Sequence, residues 1–109
     1  MTLMRNMTTE TININGKEYK GRKLNVKAMA YCGRQKTATG GWATVNRTIA
    51  VDPNVIPLGS KVYIPQFNII FVAEDTGSAI KNNKIDIFMN TYKECIQWGI
   101  KNILIFVLE

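Results

Sequence analysis

Residues 48–65, which read TIAVDPNVIPLGSKVYIP, decide the fold of this chain. One short apolar run, residues 48–51, stops at Asp52-Pro53, and a second run, residues 61–64, stops at Pro65. Proline fixes its own φ angle and disfavours helical geometry in the residue before it. The stretch therefore predicts two short strands joined by an extended, turn-forming segment.

Further strand-like segments lie on both sides of this stretch. Residues 11–15 alternate between apolar and polar side chains and run into Asn15-Gly16, a dipeptide typical of tight hairpin turns. Other candidate strands are residues 24–31, 68–73, 85–88 and 102–108, the last apolar on both faces. One helix is predicted from Thr91 to Trp98, with Thr91 and Glu94 as a capping box and Gly99 as its stop. Six or seven short strands and one helix predict a small, mainly β structure closed into a barrel.

The length of 109 residues predicts a single domain. Residues 1–10 are interpreted as a mobile leader and residues 11–109 as the folded unit. No run approaches the ~18 apolar residues of a membrane span. The first ten residues contain neither the apolar core nor the cleavage site of a signal peptide.

The chain is basic, with a net charge of +6, which favours polyanionic partners such as nucleic acid, anionic lipid or an acidic cell wall. Solubility is an equally good reason for so modest a charge. The lysines form no dense run, and no RNA-recognition or zinc-finger pattern is present. Neither nucleic acid nor a membrane is therefore predicted as a partner.

Histidine is absent from the sequence, which excludes the Ser–His and Cys–His catalytic arrangements and the usual histidine-containing zinc sites. Two cysteines, Cys32 and Cys95, lie far apart and form no CxxC motif. A disulfide and two free thiols both remain open, and free thiols are favoured. No metal and no cofactor is expected.

The sequence contains three aspartates, Asp52, Asp75 and Asp86, each at or inside a predicted strand although aspartate is depleted in strands. Asp52 before proline and Asp75 in Asp-Thr-Gly can both be explained as turn formers. Asp86 lies between Ile85 and Ile87, so it shares a strand face with Phe88. A carboxyl group next to apolar surface is partly desolvated, which favours its protonated form and suits it to act as an acid. A solvent-facing Asp86 is the alternative.

The ordered series of residues 50–65, 73–81 and 84–88, followed by Trp98-Gly99, resembles the 3D domain family, which is named for its three aspartates. Thr37-Ala38-Thr39-Gly40 fits the same pattern, and the resemblance extends from about Ala28 to Leu108. It implies a six-stranded double-psi β-barrel related to the MltA-type lytic transglycosylases and to the stationary-phase muralytic proteins of Gram-positive bacteria.

The resemblance implies a lytic transglycosylase that cleaves the MurNAc–GlcNAc bond of peptidoglycan glycan strands and leaves 1,6-anhydromuramyl ends. Asp86 matches the catalytic aspartate, Asp75 its partner, and Asp52 completes the trio. The implied location is the cell wall or extracellular space. Tyr31, Thr37, Thr39 and Gly77 are candidate substrate-binding residues.

Three other functions compete with this interpretation. The first is a non-catalytic peptidoglycan- or glycan-binding module, because a fold does not fix a function. The second is an aspartic-protease-like dyad, which would need two Asp-Thr-Gly loops, whereas the sequence has one, at Asp75. The third is nucleic-acid binding, which the charge permits and no motif supports.

Overall fold

The computed structural model describes residues 9–109. Thr9 and Glu10, which the sequence assigned to the leader, already belong to the first strand. Residues 1–8 of that leader lie outside the described part of the chain.

The described residues form a seven-stranded mixed sheet that closes on itself. In spatial order the strands run β1-β2-β6-β3-β5-β4-β7, and β7 pairs back onto β2. Six strands therefore form a closed barrel, and β1 is an additional strand paired with β2 alone. The predicted six-stranded barrel with one short helix is confirmed. The elements are β1 (Thr9–Ile14), β2 (Lys17–Tyr31), β3 (Thr48–Ala50), β4 (Lys61–Ile64), β5 (Ile69–Asp75), β6 (Lys84–Phe88), α1 (Tyr92–Trp98) and β7 (Lys101–Leu108).

The hairpin between β1 and β2 turns at Asn15-Gly16, as predicted, and both residues have positive φ angles of 51° and 89°. The strand predicted for residues 24–31 is longer than expected, since β2 runs without interruption from Lys17. Its first half pairs with β1 and its second half with β7 and β6. At Gly21, where β2 passes β7, a Cβ atom would lie 3.1 Å from the Val107 carbonyl oxygen, so this crossing favours glycine.

Side chains along each strand alternate between the packed interior of the barrel and its outer face, which we call the outer wall. Ile85 and Ile87 are at most 1% exposed and belong to the cluster that fills the barrel. The same cluster takes every second residue of β2 (Leu24, Val26, Ala28) and of β7 (Ile103, Ile105, Val107). The residues between them, Asp86 among them, therefore point outward from the barrel wall.

Helix α1, which confirms the helix predicted at Thr91 to Trp98, lies outside the barrel and contains no buried residue. Thr91 caps its N-terminus in a reciprocal capping box with Glu94, and Gly99 ends it with a φ of 67°. Trp98 fixes it to the barrel, because its indole N–H donates to the Ala28 carbonyl oxygen of β2 over 3.0 Å.

Candidate functional site

A row of paired residues crosses four neighbouring strands on the outer wall. Asp86 of β6 pairs with Met29 of β2 on one side and with Ala50 of β3 on the other. Ala50 in turn pairs with Asp75 at the end of β5, next to an irregularity in the β3–β5 register. The pairings place Asp86 and Asp75 on either side of one small alanine, so the structure brings two of the three predicted aspartates together.

Asp86 occupies a half-buried position on this wall, and its Oδ1 is buried with no hydrogen-bond partner among the described residues. Burial, and secondly the negative charge of Asp75, raise the pKa of Asp86 to about 6. A carboxyl group with such a pKa is protonated in an appreciable fraction of molecules near neutral pH. The prediction that Asp86 shares its face with Phe88 and lies opposite the buried isoleucines is confirmed.

Asp75 is held rigidly, because its carboxylate accepts three hydrogen bonds. The Tyr31 hydroxyl donates to Oδ2 over 2.8 Å, and the backbone N–H groups of Ala38 and Thr76 donate to Oδ1 over 3.0 and 2.9 Å. Only 7% of the residue is exposed. Asp75 therefore lies at a fixed position beside Asp86.

Tyr31 contacts both Asp75 and the aromatic ring of Phe88 on the outer face of the barrel. Its ring meets Phe88 edge to face with centroids 5.3 Å apart, while its hydroxyl binds Asp75. Burial, followed by the hydrogen bond to Asp75, raises the pKa of Tyr31 far above its usual value. The phenol consequently keeps its proton and acts as a hydrogen-bond donor.

The long loop from Cys32 to Arg47 covers one side of this row. The Thr39 N–H donates to the Glu74 carbonyl oxygen over 3.2 Å, next to the Ala38 bond to Asp75. Thr37 is buried and its hydroxyl lies 3.1 Å from the hydroxyl of the exposed Thr39. Of these two predicted binding residues, Thr39 is accessible, whereas Thr37 mainly supports the loop.

Asp52 occupies a different environment. Its carboxylate accepts from the backbone N–H of Asn54 over 3.0 Å and from that of Asn82 over 2.8 Å, so it bridges two loops. These two bonds lower the pKa of Asp52. The shift of Asp86 arises from burial and Asp75, and Asp52 is not among its causes. The turn-forming interpretation of Asp52 is the one that its contacts support.

Gly77 also serves the local backbone. The Ile80 N–H donates to its carbonyl oxygen over 3.0 Å, and a Cβ at this position would lie 3.1 Å from Ile80 Cγ1. Its predicted role in substrate binding stays a prediction.

Sequence reasoning missed two features beside the aspartates. One is the Ala38 backbone N–H, which no side-chain pattern reveals. The other is the contact between the free thiols Cys32 and Cys95: burial, and secondly a hydrogen bond to Cys32, raise the pKa of Cys95 to about 11, with a smaller contribution from Asp86. Their separation in the sequence gives no signal of this contact.

Within residues 9–109, no group of three or more His, Cys, Asp or Glu side chains is placed to hold a metal. No helix in this part of the chain is long and apolar enough to cross a bilayer. The aspartate pair consists of one carboxylic acid with a raised pKa, Asp86, beside a carboxylate held by hydrogen bonds, Asp75. Such an acid can donate a proton and, once ionised, accept one.

Comparison with known proteins gives relatives from Bacillus subtilis (strain 168). The chain is 42% identical over 105 residues to the cell wall-binding protein YocH, covering 89% of this chain and 36% of the relative. It is 39% identical over 109 residues to the putative cell wall shaping protein YabE, covering 93% of this chain and 26% of the relative. The chain thus spans about a third or less of the length of these two relatives.

Among solved structures, the crystal structure of MltA from E. coli has a similar fold, with a TM-score of 0.56 and 22% sequence identity. The match covers 71% of this chain and 28% of MltA. The sequence profile of the 3D domain matches residues 47–109, which include all three aspartates and strands β3 to β7. With that match over more than half of its length, this chain belongs to the 3D domain family.

Proposed function

We propose that this domain is a peptidoglycan lytic transglycosylase that cleaves the MurNAc–GlcNAc bond and leaves 1,6-anhydromuramyl ends. The observation that carries the proposal is the environment of Asp86. Its carboxyl is half-buried, its Oδ1 lacks a hydrogen-bond partner among the described residues, and its pKa is raised to about 6. Among the described residues, Asp86 combines a carboxyl group that is partly protonated near neutral pH with a half-buried position on the outer face of the barrel.

The reaction needs few protein groups. A glycoside hydrolase normally uses two carboxyl groups, one as acid and one to activate water or attack the sugar. In lytic cleavage the nucleophile is the C6 hydroxyl of the substrate. Asp86 protonates the leaving glycosidic oxygen and, as a carboxylate, then accepts the proton of the C6 hydroxyl. The proton count therefore balances with one residue.

Asp75 has a supporting role in this scheme. Its charge contributes to the raised pKa of Asp86, after burial. Its bonds to Tyr31 and Ala38 keep that charge in place and tie it to the covering loop. Asp52 organises the neighbouring loops from the 52–54 turn and is proposed as a positioning residue only.

The relatives support a role at the cell wall, since one is named a cell wall-binding protein and another a putative cell wall shaping protein. We extend this location to the present chain, with peptidoglycan glycan strands as its partner. The name of the first relative also favours a second candidate function, a non-catalytic wall-binding module. In that case Asp86 would contact the glycan without transferring a proton.

The test is mass spectrometry of muropeptides released from purified peptidoglycan. The proposal expects products that end in 1,6-anhydromuramic acid, which are lighter by one water than hydrolytic products and resist borohydride reduction. Asp86→Asn should lower their release by roughly 10²–10⁴-fold and still sediment with the insoluble cell wall. Reducible ends would indicate a hydrolase. Sedimentation of the wild-type protein with the wall without any product would support the binding module.

A further inference from the structure

An exposed aromatic ring carrying two cations lies on the loop whose Ala38 N–H binds Asp75. Trp42 is 50% exposed, the Arg34 guanidinium lies 4.4 Å from its ring centroid, and the Lys36 ammonium lies 5.4 Å from it. Lys36 and Trp42 form an antiparallel bridge, so their side chains project from the same short hairpin. We call these three residues the cationic platform.

The hairpin under the platform is ordered by its own backbone. The Thr37 N–H donates to the Gly41 carbonyl oxygen over 2.7 Å, and the Ala43 N–H donates to that of Gln35 over 2.9 Å. At its tip the Ala38 N–H binds the Asp75 carboxylate. Because Lys36 and Ala38 are two residues apart, their Cα atoms lie at most about 7 Å from each other. The backbone of the platform is therefore fixed close to Asp75.

The two cations carry unneutralised charge. The ion pairs within residues 9–109 join Lys23 to Glu10 and Arg47 to Glu74, so Arg34 and Lys36 take part in neither. A guanidinium has its N–H donors in the plane of the group, where two of them can bind the two oxygens of one carboxylate. Two positive charges held over one ring repel each other, and a bound anion relieves that repulsion.

We propose that the cationic platform binds a carboxylate of the stem peptide attached to the muramic acid residue whose glycosidic bond is cleaved. The proposal rests on the function proposed above. On the outer face of the barrel, the negative charge of Asp75 repels an anionic substituent of the substrate. The cationic platform attracts such a substituent. The stem peptide is attached to the sugar at the cleaved bond. In this proposal its carboxylates therefore lie near a platform that is anchored on Asp75. Repulsion at Asp75 and attraction at the cationic platform together determine which glycosidic bond of the strand lies at Asp86.

The test compares two double variants that remove the same charge. Arg34→Gln/Lys36→Gln removes both platform cations. Lys17→Gln/Lys20→Gln is the matched control, since Lys17 also lies over an aromatic ring, 5.3 Å from the Tyr19 centroid, at the far end of β2. Circular dichroism and melting of both variants establish that the barrel is intact.

Binding is measured with both doubles in the Asp86→Asn background, on stem-bearing peptidoglycan stripped of teichoic acid and on glycan strands freed of stem peptides by an amidase. The platform variant should bind the stem-bearing material about tenfold more weakly at low salt, with the difference shrinking as salt is raised. It should bind peptide-free strands as the control does. In the active background it should raise KM and leave kcat unchanged.

Equal binding of the platform variant and the control overturns the inference. An equal loss on both materials also overturns it, because it would place the cations on the glycan itself, including the lactyl carboxylate that the amidase leaves on muramic acid. A loss seen only before teichoic acid is removed would assign the platform to that polymer and also overturn it. The binding comparison does not depend on turnover. A wild-type protein without anhydro products would therefore reject the proposed function while the platform result stands by itself.

Discussion

Replacement of Asp86 by asparagine separates the role of this residue in catalysis from its effect on folding. The amide keeps the size and shape of the side chain but cannot donate the proton that the leaving oxygen needs. Loss of general acid catalysis lowers rates by roughly 10²–10⁴-fold. We therefore expect release of anhydromuropeptides to fall by that factor, with wall binding retained.

The same change should stabilise the fold at neutral pH. The pKa of Asp86 rises from 3.8 in the unfolded chain to about 6 in the folded protein, because of burial and Asp75. The folded state therefore holds the proton more tightly, so this stabilisation is fully present below pH 3.8 and is lost as the pH rises through about 6. This difference between the folded and unfolded pKa corresponds to about 3 kcal/mol of unfolding free energy. Screening at a partly exposed site reduces that contribution to about 1–2 kcal/mol. The asparagine amide stays uncharged, so the variant does not lose this stability as the pH rises.

Thermal melting of both proteins from pH 3.5 to 8 measures this difference. We expect similar Tm values near pH 3.5 and a Tm about 4–8 °C higher for Asp86→Asn above pH 6. Glu18→Gln, which removes one exposed carboxylate of β2, serves as the control and should change neither Tm nor activity. A Tm difference that does not vary with pH would refute the linkage to Asp86, and near-normal product release would refute its role as the acid.

Three further changes test the surroundings of Asp86. Asp75→Asn removes the charge that contributes to the raised pKa, so activity should fall and the pH–rate profile should move to lower pH; an unchanged profile would contradict the coupling. Tyr31→Phe keeps the contact with Phe88 but removes the hydrogen bond to Asp75, so denaturant unfolding should show a loss of about 1–2 kcal/mol, together with a lower kcat. Asp52→Asn should lower the Tm at neutral pH, because the lowered pKa of Asp52 adds stability above 3.8 that is lost as the pH falls through its folded value. Its pH optimum for activity should stay unchanged, and a shifted optimum would give Asp52 a direct part in the reaction.

Much of the fold could be read from local patterns, since the physics that fixes them is local. The Asn15-Gly16 turn, the Thr91 capping box and the alternation around Asp86 each depend on a few neighbouring residues, and the structure contains all three. The length of β2 could not be predicted in this way. Its residues from Lys17 to Arg22 are held as a strand by pairing with β1 and β7, and propensity alone does not supply these partners.

By itself the sequence determined the residue types available for chemistry, three aspartates and no histidine, and placed Asp86 on the strand face opposite Ile85 and Ile87. Only the tertiary structure decided which of these groups meet. Closure of the barrel places β3 between β5 and β6, so that Asp75 and Asp86 flank Ala50, while Asp52 is engaged by backbone amides of two loops. The physical reason is that burial and electrostatic coupling depend on distances across strands. Those distances are set by barrel closure and strand register, which no local stretch of sequence encodes.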